Sequence, residues 1–306
     1  MKTIITTLIS ILIINSTAIA QDSVCVTEDD SVNIFLLMGL TRQSALWSPV
    51  FLENLKKNIP NARIFFLDLP GSGKYVNDKA CLSVKGMIDF MRPEVLETMK
   101  ANKGKNIICA TSLGGMVACE WTISYKNDFQ GLIMINSSFK DICTQKERAK
   151  PSARKTMFKI LISKSVEVRE KLTITINSNK PSTFDSIAKI NTQIQNEKKM
   201  TRGNIFRQTI AGMRYSPNGN KPGVPLLIVG SKADQVVCQE CIQKTYDEFG
   251  GTLAWNDTAG HSLPTDEPTW LSEQIANWAN FQFEQELLVK EQNELLQLNA
   301  MAQTTK

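Results

Sequence analysis

The chain holds one histidine, His261, among 306 residues. A single imidazole excludes a His-rich zinc or iron centre, which draws several ligands from that residue type. It also leaves one candidate for a base working near neutral pH. Aromatic residues are sparse at 7%. No basic stretch interleaves them and no recognition-helix pattern is present, so nothing points to nucleic acid as a partner. Strong charge of one sign is missing too, with 35 Lys+Arg against 30 Asp+Glu for a net +5. Beyond the first twenty residues no apolar run approaches the about 20 residues of a membrane-spanning helix. What is there is 42% hydrophobic and 21% charged. That composition supports a sizeable core and excludes a disordered, collagen-like or small disulfide-scaffold chain.

Residues 1–20 read as a signal peptide. Lys2 supplies the positive end, Ile4 to Ile14 form an apolar run broken only by Thr and Ser, and Ala18-Ile19-Ala20 matches a small-x-small cleavage site before Gln21. The run is short for a spanning helix and ends in Asn15 and Ser16. The expectation is an exported, periplasmic or secreted protein with no stable membrane span after cleavage; an uncleaved anchor is the alternative. Seven cysteines make an odd number, so at least one is free or pairs between chains. Cys109 and Cys119 fall on apolar positions and read as buried packing thiols. Cys238 and Cys241 form a CxxC. It reads as a redox pair, as half of a zinc site lacking its other half, or most plainly as a local disulfide in an oxidising compartment. Cys25, Cys81 and Cys143 are also open to pairing.

Short, continuously apolar runs alternate with helical patterns. Strands are expected at Val32 to Leu37, Arg63 to Leu67, Asn106 to Ala110, Gly131 to Asn136, Leu226 to Val229 and Thr252 to Asn256. Helices are expected at Trp47 to Asn58, Ser83 to Met99 (begun or interrupted near Pro93), Leu113 to Tyr125, Cys238 to Phe249 and Trp270 to Gln282. Continuous apolar strands suit a parallel sheet covered on both faces, and the alternation predicts a doubly wound, mostly parallel α/β domain. The segment 139–224 breaks the rhythm. It carries 18 Lys+Arg against 6 Asp+Glu, has helical patterns and no convincing strand, and is too long for a plain connection. It reads as a helical cap inserted between the sheet portions 21–138 and 225–283. Its charge fits a solvated helical surface or attraction of an anionic substrate or membrane surface. The polar tail 284–306, with Leu287, Leu288, Leu295 and Leu298 at helical spacing, either extends the last helix or pairs with a partner helix.

Chemistry concentrates where the strand Asn106 to Ala110 runs into Ala110-Thr111-Ser112-Leu113-Gly114-Gly115. Small residues flank a serine at a tight strand-to-helix turn, which lifts the Ser112 hydroxyl above the sheet. The same turn puts the Leu113 N–H at a helix N-terminus, where it can stabilise an oxyanion. In isolation His261 reads first as a satisfied, partly buried side chain, a reading that the Gly260-His261 context reverses, and Asp234 suits a turn or N-cap before the helix at Cys238.

Taken together, the motifs resemble those of the α/β-hydrolase superfamily, specifically its capped members, over about Ile34 to Trp278. Leu36-Leu37-Met38-Gly39-Leu40-Thr41 stands where that family has its oxyanion loop, with Met38 in place of a frequent His. Asp68-Leu69-Pro70-Gly71-Ser72-Gly73 resembles its DxPGxG turn. The elbow has Ala110 where the motif has Gly. Ser112, Asp234 and His261 follow the family's chain order. The resemblance implies that Ser112 is the nucleophile, His261 the base, Asp234 its orienting acid, and the N–H groups of Leu113 and Leu40, with Thr41 next, the oxyanion donors. Asp141, after the earlier strand, is the backup acid. Arg42 either faces the site to bind a substrate carboxylate or phosphate or lies on the surface. The leading antiparallel strands of the family sheet are expected to be reduced or absent.

The P-loop fragment Gly71-Ser72-Gly73-Lys74 fails, since Asp68 and Tyr75 stand where Gly and Ser/Thr are needed. The acceptor patterns at Asn136 and Asn256 lie at strand ends and are discounted. Trp47, Trp121, Trp255, Trp270 and Trp278 are expected to pack in cores or interfaces. The reading is an exported serine hydrolase acting on a small-molecule acyl substrate, with no metal or organic cofactor and an open oligomeric state. A carboxylic ester is the expected substrate class, and thioester, lactone and amide bonds are alternatives on the same residues. A non-catalytic binding member of the fold and a thiol-redox or metal protein at Cys238 and Cys241 are the competing classes.

Overall fold

Six strands form one sheet in the computed structural model, which describes residues 31–304. The expected leader, its cleavage site at Ala20 and Cys25 lie outside the described residues. The strands are Val32–Leu37 (β1), Ala62–Leu67 (β2), Lys105–Thr111 (β3), Gly131–Ile135 (β4), Leu226–Ser231 (β5) and Thr252–Asn256 (β6), in the order β2-β1-β3-β4-β5-β6. Every pairing is parallel. The crossovers carry Pro49–Asn58 (α1), Val84–Ala101 (α2) and Leu113–Ser124 (α3). Between β4 and β5 the chain makes Gln145–Arg148 (α4), Pro151–Ile162 (α5), Val166–Asn177 (α6), Phe184–Glu197 (α7) and Arg202–Arg214 (α8). Gln239–Phe249 (α9), Leu263–Asp266 (α10) and Pro268–Thr304 (α11) complete the described chain.

The apolar strands divide by parity, as a two-residue side-chain period requires. Phe35, Leu37, Ile108, Ala110, Leu132 and Met134 cluster with α2, α3 and α9 through Met87, Val117, Trp121 and Ile242. Ile34, Leu36, Ile107, Cys109, Ile133 and Ile135 cluster with α1 and α11 through Phe51, Leu55, Leu271 and Ile275. The strand order reverses between β1 and β3. Their connections therefore leave on opposite faces and open a crevice at the carboxyl ends of the strands, where doubly wound sheets hold ligands.

The structure departs from the sequence reading at Pro93 and at the CxxC, and for the C-terminal tail it favours one of the two outcomes offered. Helix α2 runs unbroken through Pro93. A proline in a helix interior costs about 3 kcal/mol, but Val84, Met87, Ile88, Met91 and Val95 form a buried stripe on both sides of it, and that packing carries the helix across. Helix α11 continues past Gln282 to Thr304, so residues 284–304 extend the last helix. The CxxC is not a local disulfide, since Cys143 pairs with Cys241 across 98 residues, with Cα atoms 5.5 Å apart. Cys238 is the N-cap of α9 and partly exposed, whereas Cys241 faces inward and is fully buried beside Cys143. Cys109 and Cys119 are buried free thiols, pushed well above the usual thiol pKa by burial. Trp47, Trp121 and Trp278 are buried, and Trp255 and Trp270 pack partly buried against the core.

The Cys143–Cys241 bridge ties the loop after β4 to α9. Replacing both cysteines with alanine is expected to lower the unfolding free energy by about 2–5 kcal/mol, read as a fall in the urea midpoint. An unchanged midpoint in oxidised protein would mean that the bridge does not form.

Candidate active site

Only Ser112 separates β3 from α3, and it adopts φ 53°, ψ −119°. A non-glycine residue held at positive φ stores strain that the surroundings must enforce. Here the Ser112 N–H donates to Ile135 O at 2.9 Å, and the Ser112 carbonyl accepts from Gly115 N and Ser137 Oγ, each at 3.0 Å. The loop after β1 presses on this turn. A Cβ on Gly39 would lie 2.9 Å from Ser112 Cβ, and one on Gly114 would lie 2.7 Å from both Leu37 O and Met38 O. These close approaches explain why the flanking positions are small. Leu113 opens α3, so its N–H has no acceptor within the helix. The Leu40 N–H likewise has no acceptor among the described residues.

The acid and the imidazole come from the next two strand ends. Asp234 follows β5 and is 2% exposed. Its Oδ1 accepts from Val236 N at 2.6 Å and Val237 N at 3.1 Å, and its Oδ2 lies 2.7 Å from His261 Nδ1. Two backbone donors and one ring thus fix the carboxylate. His261 follows β6 with its side chain 10% exposed. Its carbonyl accepts from Asn136 Nδ2 at 3.0 Å. Asn136 also receives Ser231 N on its Oδ1 at 2.9 Å, so one buried amide joins the ends of β4, β5 and the His261 loop. Its burial supports discounting the acceptor pattern there.

The helices α4 to α8 close over these loops and hold two of them. Ser262 N donates to Asn177 O at 2.6 Å, and buried Asp266 accepts from Gly260 N, Ser178 Oγ and Asn179 N. On the other side Thr41, at φ 63°, donates its N–H to Gln208 Oε1 at 3.3 Å and accepts from Gln195 Nε2 at 2.8 Å. Gln208, fully buried, also donates to Pro70 O at 3.1 Å. The Thr41 amide is therefore taken up by the cap, and the structure leaves Leu40 rather than Thr41 as a free donor. Arg42 is neither a surface residue nor an unpaired cation. Its Nη1 lies 2.7 Å from Glu170 Oε2 on α6, with both side chains largely buried. Asp141 is exposed, accepts from Gly219 N at 3.4 Å and lines a different cavity. The structure brings Asp234, not Asp141, to His261. Asp68 of the turn after β2 is structural, accepting from Ser44 N and Lys74 N at 2.6 and 2.8 Å.

Ser112, Leu113, Leu40 and His261 share one cavity of about 490 Å³ between the strand ends and the cap. Its walls are mainly apolar, with Met38, Met116, Met157, Phe158 and Ile176 among them. No group of His, Cys, Asp and Glu suited to a metal ion occurs among the described residues, nor any helix long and apolar enough to cross a membrane. The sequence reading missed Asn136, Asp266, Gln195 and Gln208. Each acts by bonding to backbone far away in sequence, which leaves no local signature.

Residues 33–268 match the family described as Hydrolase_4, serine aminopeptidase S33, and the chain belongs to that family. It is a hydrolase with the α/β-hydrolase fold. One curated relative, a pimeloyl-[acyl-carrier protein] methyl ester esterase from Wigglesworthia glossinidia brevipalpis, is 31% identical over 110 residues, 35% of this chain. That match spans only 37% of the relative's own length. An esterase from Exiguobacterium antarcticum superposes with TM-score 0.64 at 15% identity, covering 82% of this chain and 93% of its own. An enol-lactonase from Burkholderia xenovorans LB400 superposes with TM-score 0.63 at 13% identity, covering 82% and 92%. A hydrolase from Pseudomonas aeruginosa PA01 gives TM-score 0.65 at 12% identity, covering 81% and 90%.

Proposed function

We propose that the protein is an exported serine hydrolase that cleaves a carboxylic ester through Ser112, His261 and Asp234. The observation that carries this reading is the 2.7 Å Asp234–His261 pair on the same cavity as the strained Ser112 elbow. Ser112 Oγ attacks the ester carbonyl carbon while His261 Nε2, the ring nitrogen not facing Asp234, takes the hydroxyl proton. Charge builds on the carbonyl oxygen, and the Leu113 and Leu40 N–H groups are the donors for it. The tetrahedral intermediate expels the alcohol, which leaves with the proton from His261, and an acyl-Ser112 remains. Water then attacks the acyl carbon as His261 takes its proton. Collapse returns that proton to Ser112 Oγ and releases the acid.

The family's description as an aminopeptidase gives a second chemistry for the same residues. Binding a substrate's terminal ammonium calls for a carboxylate in the pocket. Among the described residues lining the cavity no Asp or Glu occurs, which favours an acyl substrate without a cationic end. A fluorophosphonate probe should label the mature protein at Ser112. A panel of esters, thioesters, lactones and aminoacyl amides, with Ser112→Ala as blank, should show the ester turned over fastest. Fastest turnover of the aminoacyl amide would replace the ester reading with a peptidase. Export rests on residues 1–20 and accords with the Cys143–Cys241 bridge, which suits an oxidising compartment. N-terminal sequencing of secreted material should begin at Gln21.

The cap has a further role in this scheme as the support of the oxyanion loop. Gln208→Leu removes both bonds from one buried side chain to Thr41 N and Pro70 O. It is expected to lower kcat between about ten- and a hundredfold with little change in KM. It should also cost about 1–3 kcal/mol of stability from the two groups left unpaired. Steady-state kinetics and a denaturant melt on the same preparation measure both.

A further inference from the structure

The charged side chains of the cavity are all of one sign. Arg42, Arg148 and Arg154 line it and no acid among the described residues does. Arg42 is neutralised by Glu170. Arg148 and Arg154 have no carboxylate within ion-pair distance among the described residues; their guanidinium groups donate instead to backbone carbonyls, Arg148 to Gly212 O at 2.7 Å and Met213 O at 3.1 Å, and Arg154 to Ala149 O at 2.9 Å. Arg148 Nε is buried with no hydrogen-bond partner. Burial also pulls the Arg148 pKa below the usual guanidinium value. Arg148 is half-buried, and Asp141 acts on it only through space, without pairing; a partly desolvated cation without a contacting carboxylate is costly in a cavity wall and is relieved by an anion from outside.

The position of Arg148 relative to the reacting atoms follows from α3. Its Nη2 lies 3.9 Å from Met116 Sδ. Met116 stands four residues beyond Ser112, which is about 6 Å of helix rise. The intervening wall is apolar, with Met116, Met157 and Val237. Arg154 is exposed, and so is Phe158, which also lines the cavity. These place the cationic end toward the opening under α4 and α5.

On the serine-hydrolase reading above, we propose that the substrates are esters whose acyl portion has an apolar middle and an anionic far end, a carboxylate or a phosphate, which Arg148 and Arg154 bind. Such a ligand fills the apolar wall, supplies the missing counter-charge, and sets the distance between that charge and the scissile carbonyl. Guanidinium groups suit either anion because their paired N–H donors match both geometries.

The test compares 4-nitrophenyl monoesters of straight-chain dicarboxylic acids with 4-nitrophenyl esters of neutral fatty acids of equal length, and an ω-phosphate series as a third arm. The wild-type protein is expected to favour an anionic series at its best length by about tenfold or more in kcat/KM, with the preference shrinking as salt rises. The better of the two anionic arms identifies the anion. Arg154→Gln should lower the anionic-to-neutral ratio several-fold. Arg148→Gln should lower it about tenfold, with Arg148→Lys restoring part of it. Because Arg148 also anchors the end of α8, a thermal melt accompanies each variant. In Ser112→Ala protein, monomethyl octanedioate, with one anionic end, should raise the melting temperature more than neutral methyl octanoate. Turnover of both series with no anionic preference, or a ratio unmoved by both Arg148→Gln and Arg154→Gln, overturns the anion site and leaves the hydrolase. No turnover of any ester together with no fluorophosphonate label at Ser112 overturns the hydrolase reading, and the anion site as a substrate site with it.

Discussion

His261→Ala is expected to lower kcat for the best ester by about 10⁴- to 10⁶-fold, with KM changed far less. The size of the effect follows from the composition. The chain has one imidazole, so no neighbouring histidine can take over the proton, and no Asp or Glu among the described residues lines the cavity to act instead. Ser112→Ala should lose as much, and the double variant little more than either single one, because the two side chains act as a unit. Residual turnover above the water rate should survive in all three, since the Leu113 and Leu40 N–H groups are backbone and untouched. Fluorophosphonate labelling should vanish in Ser112→Ala and fall sharply in His261→Ala. Retention of wild-type turnover by His261→Ala would falsify the mechanism, with no second histidine to rescue it.

The parts of this site legible in the sequence are those whose geometry is local. The elbow announces itself because a one-residue turn between strand and helix tolerates only small neighbours, and Gly114 stands where a Cβ would strike Leu37 O and Met38 O. The central strands are readable within a residue or two because burial on both faces makes them continuously apolar, and the half-exposed edge strands β2 and β6 are marked by their aromatic and aliphatic residues. Pro93 misled because proline's local cost is set against a buried stripe that only tertiary packing reveals. The CxxC misled for a related reason. Spacing fixes which thiols are near in sequence, but the inward face of α9 decides that Cys241 meets Cys143. The least legible parts are the supports. Asp266 is one of 30 Asp+Glu, and only its three bonds to Gly260, Ser178 and Asn179 mark it as the post joining the cap to the His261 loop. Arg42 lines the cavity, as one of its two sequence readings had it, but its pairing with Glu170, 128 residues away, leaves no local signal.

Asp234→Asn is expected to drop kcat by about 10⁴-fold while the fold survives, and Asp141→Asn to leave turnover within about twofold of wild type. The asymmetry comes from the bonds each carboxylate makes. Asp234 Oδ1 accepts from the Val236 and Val237 N–H groups, and the asparagine oxygen keeps those two bonds. Its NH₂ then faces His261 Nδ1, which must become the acceptor. The ring proton moves to Nε2, and the nitrogen needed to receive the Ser112 proton is already occupied. Flipping the amide offers no escape, because it sets the NH₂ against two backbone donors. The variant is thus held in the wrong tautomer by the same contacts that orient the wild-type acid. A denaturant melt separates this from misfolding. All three contacts survive in the new tautomer and only their charge is lost, which predicts a loss of about 1–2 kcal/mol, far less than the loss in rate. Asp141 accepts from the Gly219 N–H at 3.4 Å, lies outside the cavity of Ser112 and acts on Arg148 only through space, so its amide leaves Ser112, His261 and the oxyanion donors untouched. Full activity in Asp234→Asn with loss in Asp141→Asn would transfer the acid to the end of β4 and require the His261 loop to rearrange away from the 2.7 Å contact with Asp234.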